Sequence, residues 1–480
     1  MKTISNINKI FTAVAAAMIS TSALAGGLVT NTNQNASFLR QLSQEAIIDI
    51  DGMYANPAGT AFLAPGSHVA FNIQNAKQNR DITTSFALMG YNTKYAGNST
   101  HKYHGKALAP VIPSVHYSYN WEKWSVNGSF ALTGGGGKCE FDEGLGTFET
   151  MYAASVYAGI TGQLTSALTG AGYPLAAAQN AAQNAIQGYS LNAYMKGRAY
   201  YFGWTVGGTY KALDNLAVFA GGRIVYATNN YNGWVEDIHG YYTNPANGQT
   251  VDVDLNDNAL SLNADQTGWG FTPMLGIDWK LNDHWNFAAK YEFKTKLRLE
   301  NESEMNNYTA LLSMQNATLQ QFQDGRTIKA DIPATLFAGV QYSPVEALRI
   351  NAGYHWYDDK NASQYGNKQK KIDDNTFEFT AGVEYDINKW VTASCGWQIT
   401  QYGLSDAYMN DLSFVTNSQS YGLGARVHIS EKWSIDLGFM QTLYESRDVT
   451  TANFLNSGLD KKDHYKRTNR VLGIGLNFDF

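Results

Sequence analysis

The last ten residues, Val471 to Phe480, alternate between apolar and small or polar side chains and end on an aromatic residue. Successive side chains of a β-strand point to opposite faces, so this segment has one wholly apolar face. A soluble sandwich also uses such strands, but here the pattern recurs in fourteen segments, with aromatic residues at the strand ends. The repetition predicts a barrel whose apolar face contacts lipid while the opposite face lines a lumen.

We therefore predict an all-β fold, a 14-stranded antiparallel transmembrane β-barrel with helical insertions in its extracellular loops. Short connections alternate with long ones along the chain, as short periplasmic turns alternate with long extracellular loops in such barrels. The strand lengths suit a tilted span, which needs about 9–11 residues. The predicted strands cover residues 67–76, 110–120, 123–133, 199–211, 215–227, 268–280, 285–297, 333–342, 347–357, 375–386, 389–402, 416–429, 432–445 and 467–480.

The two faces of the predicted strands differ in charge as well as in hydropathy. In the segment 285–297, Phe287 and Tyr291 share one face, whereas Lys290 and Glu292 share the other. A charge on the lipid face costs about 2–4 kcal/mol near the midplane, so the charged face must point inward. The chain also has 30 Tyr and 11 Trp, and aromatic residues form girdles at both membrane interfaces. Four tryptophans that follow short turns are predicted at the periplasmic interface: Trp124, Trp285, Trp390 and Trp433.

The first 25 residues have the pattern of a secretory signal, with Lys2 and Lys9 before an apolar core and Ala23-Leu24-Ala25 as a cleavage site. Loss of the two lysines would change the formal charge from −6 to −8, which argues against a nucleic-acid partner. We predict three regions, a signal peptide (1–25), a plug segment (26–66) and the barrel (67–480), and expect the mature chain in the outer membrane of a Gram-negative cell.

The plug segment, residues 26–66, is too apolar for a solvated tail and too short to form a core of its own. We expect it to be buried inside the barrel, where burial is worth about 25 cal/mol per Å². Its charged residues would then pair with charges of the lumen: Arg40, Glu45, Asp49 and Asp51.

Two extracellular loops, near 148–187 and 298–332, are unusually apolar and have helical spacing. Two interpretations remain open at this point. The two helical segments pack on each other, or they form an apolar surface above the barrel that receives a ligand.

The plug segment contains the motif Asn56-Pro57-Ala58 shortly before the first strand, after a small-then-apolar start at residues 26–28. Polar and small residues precede the motif at Arg40, Ser43, Ala46, Asp49 and Asp51. Together with the fourteen strands and the terminal Phe480, these residues resemble the FadL-type family of outer-membrane transporters for long-chain fatty acids and other hydrophobic compounds. The resemblance covers the architecture of the whole mature chain, but residue identity mainly in 26–70.

The resemblance implies how such a barrel would handle cargo. Apolar extracellular loops capture a hydrophobic ligand, which passes to a pocket near the amino terminus. A hatch inside the barrel moves, and the ligand leaves sideways through the wall at a kink in the third strand. Carried onto this chain, the capture residues are Leu164, Leu168, Leu311, Leu312 and Phe322, the pocket residues Leu28 and Val29, the hatch residues Asn56, Pro57 and Ala58, and the kink residues Gly134, Gly135, Gly136 and Gly137.

Two features limit what the resemblance implies. In the family the long apolar helical insertion lies in the third extracellular loop, whereas here it lies in the second, at 148–187. The class of ligand therefore does not carry over directly. The glycine run has a second interpretation, because glycines that weaken strand pairing are also found at the start of an ordinary loop.

The sequence thus predicts passive transport of hydrophobic compounds, with long-chain fatty acids as the first expectation. A general porin for small polar solutes and a surface adhesion or structural barrel are the alternatives. We expect no cofactor, no metal site and no enzymatic activity, since His355 has no identifiable serine partner. The expected partners are fatty acids and similar small molecules, outer-membrane lipids, and the barrel-assembly machinery, which would contact the carboxyl-terminal strand ending at Phe480.

Overall fold

The computed structural model describes residues 29–30, 34–95 and 97–480. The predicted signal peptide and Leu28 lie outside these residues. The described chain forms a closed antiparallel barrel with fourteen wall strands. Closure is achieved by the first and last strands, which pair from His68 with Asp479 to Ser85 with Lys462.

Each wall strand pairs with its neighbours in sequence, and four short strands extend the hairpins on the extracellular side. These four are β6, β9, β10 and β17. The strands are β1 Gly66–Ser85, β2 Thr100–Asn120, β3 Trp124–Phe141, β4 Ile186–Leu213, β5 Leu216–Thr243, β6 Thr250–Asp254, β7 Leu260–Lys280, β8 Trp285–Glu292, β9 Arg298–Met305, β10 Thr327–Lys329, β11 Thr335–Val345, β12 Leu348–Tyr357, β13 Thr376–Asn388, β14 Val391–Gln401, β15 Ser418–His428, β16 Trp433–Tyr444, β17 Arg447–Thr451 and β18 Lys461–Asp479.

The helices lie in the plug segment and in the loops. Four α-helices are α1 Ala36–Arg40, α2 Gly146–Gly170, α3 Leu175–Ala185 and α4 Asn307–Gln315. The 3₁₀ helices are Ile50–Met53, Pro57–Phe62, Ala87–Tyr91, Thr93–Tyr95, Asn256–Asn258, Leu319–Phe322, Asp359–Asn361, Tyr365–Lys371 and Phe454–Asn456. Among the described residues, no helix combines the length and the hydropathy needed to span a membrane.

The predicted alternation of apolar and polar faces is present in the wall. On β18, the side chains of Leu472 and Ile474 are 58% and 50% exposed on the outer face. Two residues that alternate with them, Val471 and Asn477, are buried on the inner face. The four tryptophans predicted at the periplasmic interface are all exposed next to the short turns. The outer face is therefore the one that meets hydrocarbon.

All fourteen predicted wall strands are present, and most of their periplasmic ends lie close to the predicted ends. Their extracellular ends differ, because β1 continues to Ser85 instead of residue 76 and β4 begins at Ile186 instead of residue 199. These extensions stand above the hydrocarbon, so their outward residues are polar and the alternation used for prediction is lost. The seventh wall strand differs in the other direction: β8 ends at Glu292 rather than at residue 297, and the chain resumes pairing in β9.

Replacing Ile474 by lysine tests the orientation of the wall. Ile474 lies opposite Ile73 and Leu437 on the outer face, where a lysine should destabilise the barrel by about 2–4 kcal/mol. The measurement is the midpoint of urea unfolding in lipid vesicles, followed by heat-modifiable gel mobility.

The matched control is Thr267→Lys, because Thr267 is also exposed on the outer face but lies above the tryptophan Trp269 at the extracellular edge. There the cost should fall to about 0–1 kcal/mol. Equal destabilisation by the two variants would contradict the assigned orientation.

Candidate functional site

The plug segment lies inside the barrel. Helix α1 begins after Asn35, whose side-chain oxygen accepts a hydrogen bond of 2.7 Å from the backbone N–H of Phe38. All five residues of α1 are buried, and the helix packs against β14, β15, β16, β18 and β1. Two inward glycines make this close approach possible, since a Cβ atom at Gly396 would lie 2.4 Å from the backbone nitrogen of Leu42 and one at Gly438 would lie 2.4 Å from the carbonyl oxygen of Ala36.

A network of buried charges joins the plug segment to β13, β15 and β16. Arg40 donates to Glu384 on β13 and, at 2.7 Å, to Asp436 on β16. Arg426 on β15 donates to Asp436 at 2.7 Å. Arg426 also pairs with two carboxylates of the plug segment, Asp49 and Asp51, the latter at 2.7 Å. In this network the plug therefore contributes a cation to some ion pairs and carboxylates to others.

A second contact joins the plug segment to β12 and β13. His355 on β12 lies between two carboxylates, with Nε2 at 2.5 Å from Glu45 of the plug and Nδ1 at 2.8 Å from Glu378 of β13. All three side chains are at most 5% exposed. Burial alone would raise the pKa of Glu45, but the charge of His355 and its hydrogen bond outweigh burial and lower that pKa. The sequence prediction that Arg40, Glu45, Asp49 and Asp51 pair with luminal charges is confirmed.

The motif Asn56-Pro57-Ala58 fixes the plug segment at the periplasmic end of the lumen. The side chain of Asn56 caps the 3₁₀ helix Pro57–Phe62 by accepting from the N–H of Gly59 at 3.1 Å. Its amide nitrogen donates to the carbonyl of Ile47 at 3.1 Å and to Asp278 of β7 at 2.5 Å. Ala58 is fully buried against wall residues Phe219 and Met274. Whether this region moves as a hatch stays a prediction.

A small cavity of about 20 Å³ lies between the plug segment and the wall. It combines aromatic rings with charged groups: Phe38, Tyr54, Phe337, His355, Tyr357 and Glu378 are among its lining residues. Lys290 lies beside Tyr54 and Phe337, with its ammonium 4.1 Å and 4.3 Å from the two ring centres. Sequence reasoning assigned no role to this aromatic and cationic group, because its members are far apart in the chain.

The pocket residue Val29 is 7% exposed. It lies in a separate apolar cluster of the upper lumen, with residues such as Tyr201 of β4, Val225 of β5 and Leu299 of β9. Nearby, the hydroxyl of Thr30 lies 2.8 Å from that of Tyr402. The second pocket residue predicted from sequence, Leu28, is not among the described residues.

The extracellular loops surround a second, apolar cavity of about 40 Å³. Both apolar loops contribute to it, Phe148 from α2 and Leu319 and Phe322 from the loop of α4. The other lining residues are Met195, Tyr231, Gly233, Trp234, Val235, Leu260, Leu262 and Thr309. The two loops therefore share one apolar core with a cavity in it, and a role of this region in receiving a ligand stays a prediction.

The five predicted capture residues do not form one group. Phe322 is buried and lines the loop cavity, whereas Leu312 is buried in the surrounding apolar core without lining it. Leu164 is buried in the same extracellular core without lining the cavity, and Leu168 is half-buried further along α2. Leu311 is 47% exposed on the surface of α4. Helical spacing located the apolar segments but did not show which of their residues face the cavity.

The ladder between β2 and β3 is interrupted in the middle of the wall. Pairing holds from Gly105–Phe141 to Leu108–Lys138 and resumes at Val115–Phe130, so residues 109–114 and 131–137 do not pair with each other. The predicted glycine run, Gly134 to Gly137, lies within this interruption and still pairs irregularly with β4 on its other side. We define the wall gap as residues 109–114 of β2 and 131–137 of β3.

Backbone geometry accounts for the wall gap. Gly135 has a φ of 102°, and a Cβ atom there would lie 2.4 Å from the carbonyl oxygen of Ala199. On the opposite side, Pro110 and Pro113 have no N–H group to donate to a neighbouring strand. Sequence reasoning included both prolines in a regular strand, although two prolines within four residues are a signal against central pairing.

The chain shares its fold with outer-membrane channels. Its residues 299–480 match the family described as "Outer membrane protein beta-barrel domain". The chain is similar to a FadL homologue of Pseudomonas aeruginosa, with 15% identity, a TM-score of 0.65, and coverage of 95% of this chain and 100% of that one. It is also similar to the toluene transporter TodX of Pseudomonas putida, with 13% identity, a TM-score of 0.52, and coverage of 95% and 99%.

A third similar structure is the toluene transporter TbuX of Ralstonia pickettii, with 12% identity, a TM-score of 0.50, and coverage of 93% of this chain and 98% of that one. No curated protein matches the sequence. These findings confirm the predicted FadL-type fold and the outer membrane as its location.

Replacing Arg426 by glutamine tests the attachment of the plug segment. The variant leaves Asp49, Asp51 and Asp436 without this shared cation, and breaking a buried ion pair typically costs about 3–5 kcal/mol. We expect the plug to loosen, giving steady ion conductance in planar bilayers where the unaltered protein gives little. The control is Arg447→Gln, which removes an ion pair with Asp406 in the exposed loops. An Arg426→Gln variant with the same conductance as the unaltered protein would contradict the role of Arg426 in holding the plug.

Proposed function

We propose that this outer-membrane barrel, which has the fold of the FadL-type transporters, carries hydrophobic compounds inward by passive diffusion. Long-chain fatty acids are the first cargo to test, and monoaromatic hydrocarbons the second. In this proposal the loop cavity captures the cargo, the plug segment rearranges, and the cargo leaves sideways through the wall gap into the membrane.

The observation that carries the proposal is the wall gap in a barrel whose lumen is occupied. The plug segment occupies the straight route along the barrel axis, with Arg40, Glu45 and Asp51 paired to the wall. The interruption between β2 and β3 lies in the wall, whose outer face meets hydrocarbon. A lateral exit suits apolar cargo, because it avoids transfer through water and ends in the phase that dissolves the cargo.

The loop cavity supports the first step. Nearly all of its lining residues are apolar, as in the small-molecule pockets of other proteins. The cavity lies among the extracellular loops, on the side from which cargo would arrive. Burying a hydrocarbon chain there is favourable by about 0.8 kcal/mol for each methylene.

The same features argue against the alternative of a general porin. A porin for polar solutes needs a continuous water-filled path, whereas residues 34–65 lie inside this barrel and are mostly buried. The conductance of the unaltered protein separates the two functions, since an open pore conducts steadily. The second alternative, an adhesion barrel, predicts that substitutions in the loop cavity do not reduce the uptake of hydrophobic compounds.

The direct experiment is uptake of radiolabelled oleate and toluene by cells with and without the protein. We expect faster uptake of at least one of these compounds when the protein is present. Equal uptake of both by the two kinds of cell would reject the proposal.

Replacing Phe322 by serine tests the capture step. Phe322 is 2% exposed and lines the loop cavity, and loss of its buried ring should weaken cargo binding by about 2–3 kcal/mol. The matched control is Leu311→Ser, because Leu311 is exposed on the same loop and lies outside the cavity lining. We expect a rise in the cargo concentration for half-maximal uptake only for Phe322→Ser; the same effect in both variants would contradict capture in the cavity.

Replacing Pro110 and Pro113 together by threonine tests the exit. The double variant supplies two N–H donors that allow pairing to extend into the wall gap. We expect the maximal uptake rate to fall severalfold while cargo binding to detergent-purified protein stays unchanged. The control is Pro344→Thr near the periplasmic turn of β11; unchanged uptake by the double variant would contradict lateral release.

A further inference from the structure

The outer face of the barrel carries an uneven distribution of charge above the hydrocarbon band. Six cations point outward on three adjacent strands at the extracellular edge, and we call this set the basic sector. Its members are Lys77 on β1, Lys102 and Lys106 on β2, and Lys462, Lys466 and Arg470 on β18. All six are exposed.

The strand register places these cations close together. Lys77 lies directly opposite Arg470, and Asn79, two residues further along β1, lies opposite Lys106. Directly opposed side chains have Cβ atoms about 4.5–5.5 Å apart, and diagonal neighbours are about 7–8 Å apart. The basic sector therefore forms a continuous surface across β18, β1 and β2.

The protein supplies few counter-charges to this surface. Three acids lie on or beside this surface, and each is engaged with another side chain: Asp81 with His104 at 2.5 Å, Asp448 with His464 at 2.8 Å, and Glu140, which lies opposite Lys106, with Lys138 at 2.6 Å. Within the described part of the chain, none of the six cations lies within 4 Å of a carboxylate oxygen. Like charges directly across a sheet are destabilising, so Lys77 and Arg470 favour an anion between them.

The rest of the extracellular edge carries outward charges of both signs. Asp265 on β7 lies directly opposite Glu302 on β9, and Glu300 and Glu304 point outward beside them. The cations Arg198 and Arg298 lie near carboxylates, at 3.9 Å from Asp265 and 2.7 Å from Asp331, whereas no member of the basic sector does. The height of the basic sector on the barrel is also defined. On β1, Lys77 is the next outward residue above Asn75, and the outward residues Phe71 and Ile73 of the apolar band lie below both.

We propose that the basic sector binds the phosphate groups of the glycolipid that forms the outer leaflet around the barrel. Basic residues near a membrane surface attract anionic headgroups, each contributing a share of the affinity. The position fits this partner, since the cations stand at headgroup height while Ile73, Ile474 and Leu472 contact acyl chains below. The pair Leu108–Lys138, which borders the wall gap from above, lies beside this surface, so a bound lipid would stand over the gap.

The test uses the full-length protein in nanodiscs of uncharged phosphatidylcholine, titrated with bisphosphorylated lipid A or with the same lipid after removal of its phosphates. The test variant is Lys77→Gln/Lys106→Gln/Arg470→Gln. We expect about ten- to a hundredfold weaker binding of the phosphorylated lipid to this variant, and no difference between the proteins for the dephosphorylated lipid.

Two further variants make the result specific. Lys123→Gln/Lys370→Gln/Lys432→Gln removes the same charge from exposed sites elsewhere and should bind within twofold of the unaltered protein. Lys77→Arg/Lys106→Arg/Arg470→Lys keeps every charge and should also bind normally, which separates charge from folding. Equal binding by the test variant, or equal binding of the two lipids by the unaltered protein, would overturn the proposal.

Discussion

Backbone hydrogen bonding within hydrocarbon is the constraint on which the rest of this structure depends. Every N–H and C=O group at membrane depth needs a partner from the protein, and a sheet meets this need only when it has no edge. Here β1 and β18 complete the ladder, and Ser67 exchanges two backbone hydrogen bonds with Phe480. A closed sheet of fourteen strands encloses a lumen. Because side chains alternate along each strand, closure directs every second side chain into this lumen.

The plug segment and the lumen depend on each other. Arg426 and Asp436 would be costly to bury alone, and so would Arg40 and Asp51. Placed together, they form ion pairs across the boundary between plug and wall. Small residues complement this pairing, because Gly438 lets α1 approach the wall closely enough for the charges to meet. Polar attachment of this kind holds the plug in position.

The sequence predicts most of the wall but only part of the candidate site. Strands were found where one face had to be apolar, as in β18, and their extensions were missed where neither face meets lipid, as at residues 186–198. Leu312 and Phe322 were identified because they lie in apolar helical segments, but the same pattern also selected the exposed Leu311. The luminal contact of Glu45 with His355 joins residues that are 310 positions apart, and no local pattern encodes such a meeting.

The wall gap has a consequence for how such a chain can change over evolution. Pairing on either side of it fixes the register, at Leu108–Lys138 above and at Val115–Phe130 below. Substitutions between these two points alter the border of the opening without shifting any strand that lies beyond them. Related proteins can thus differ in the width and chemistry of this border while the strand register of the barrel stays the same.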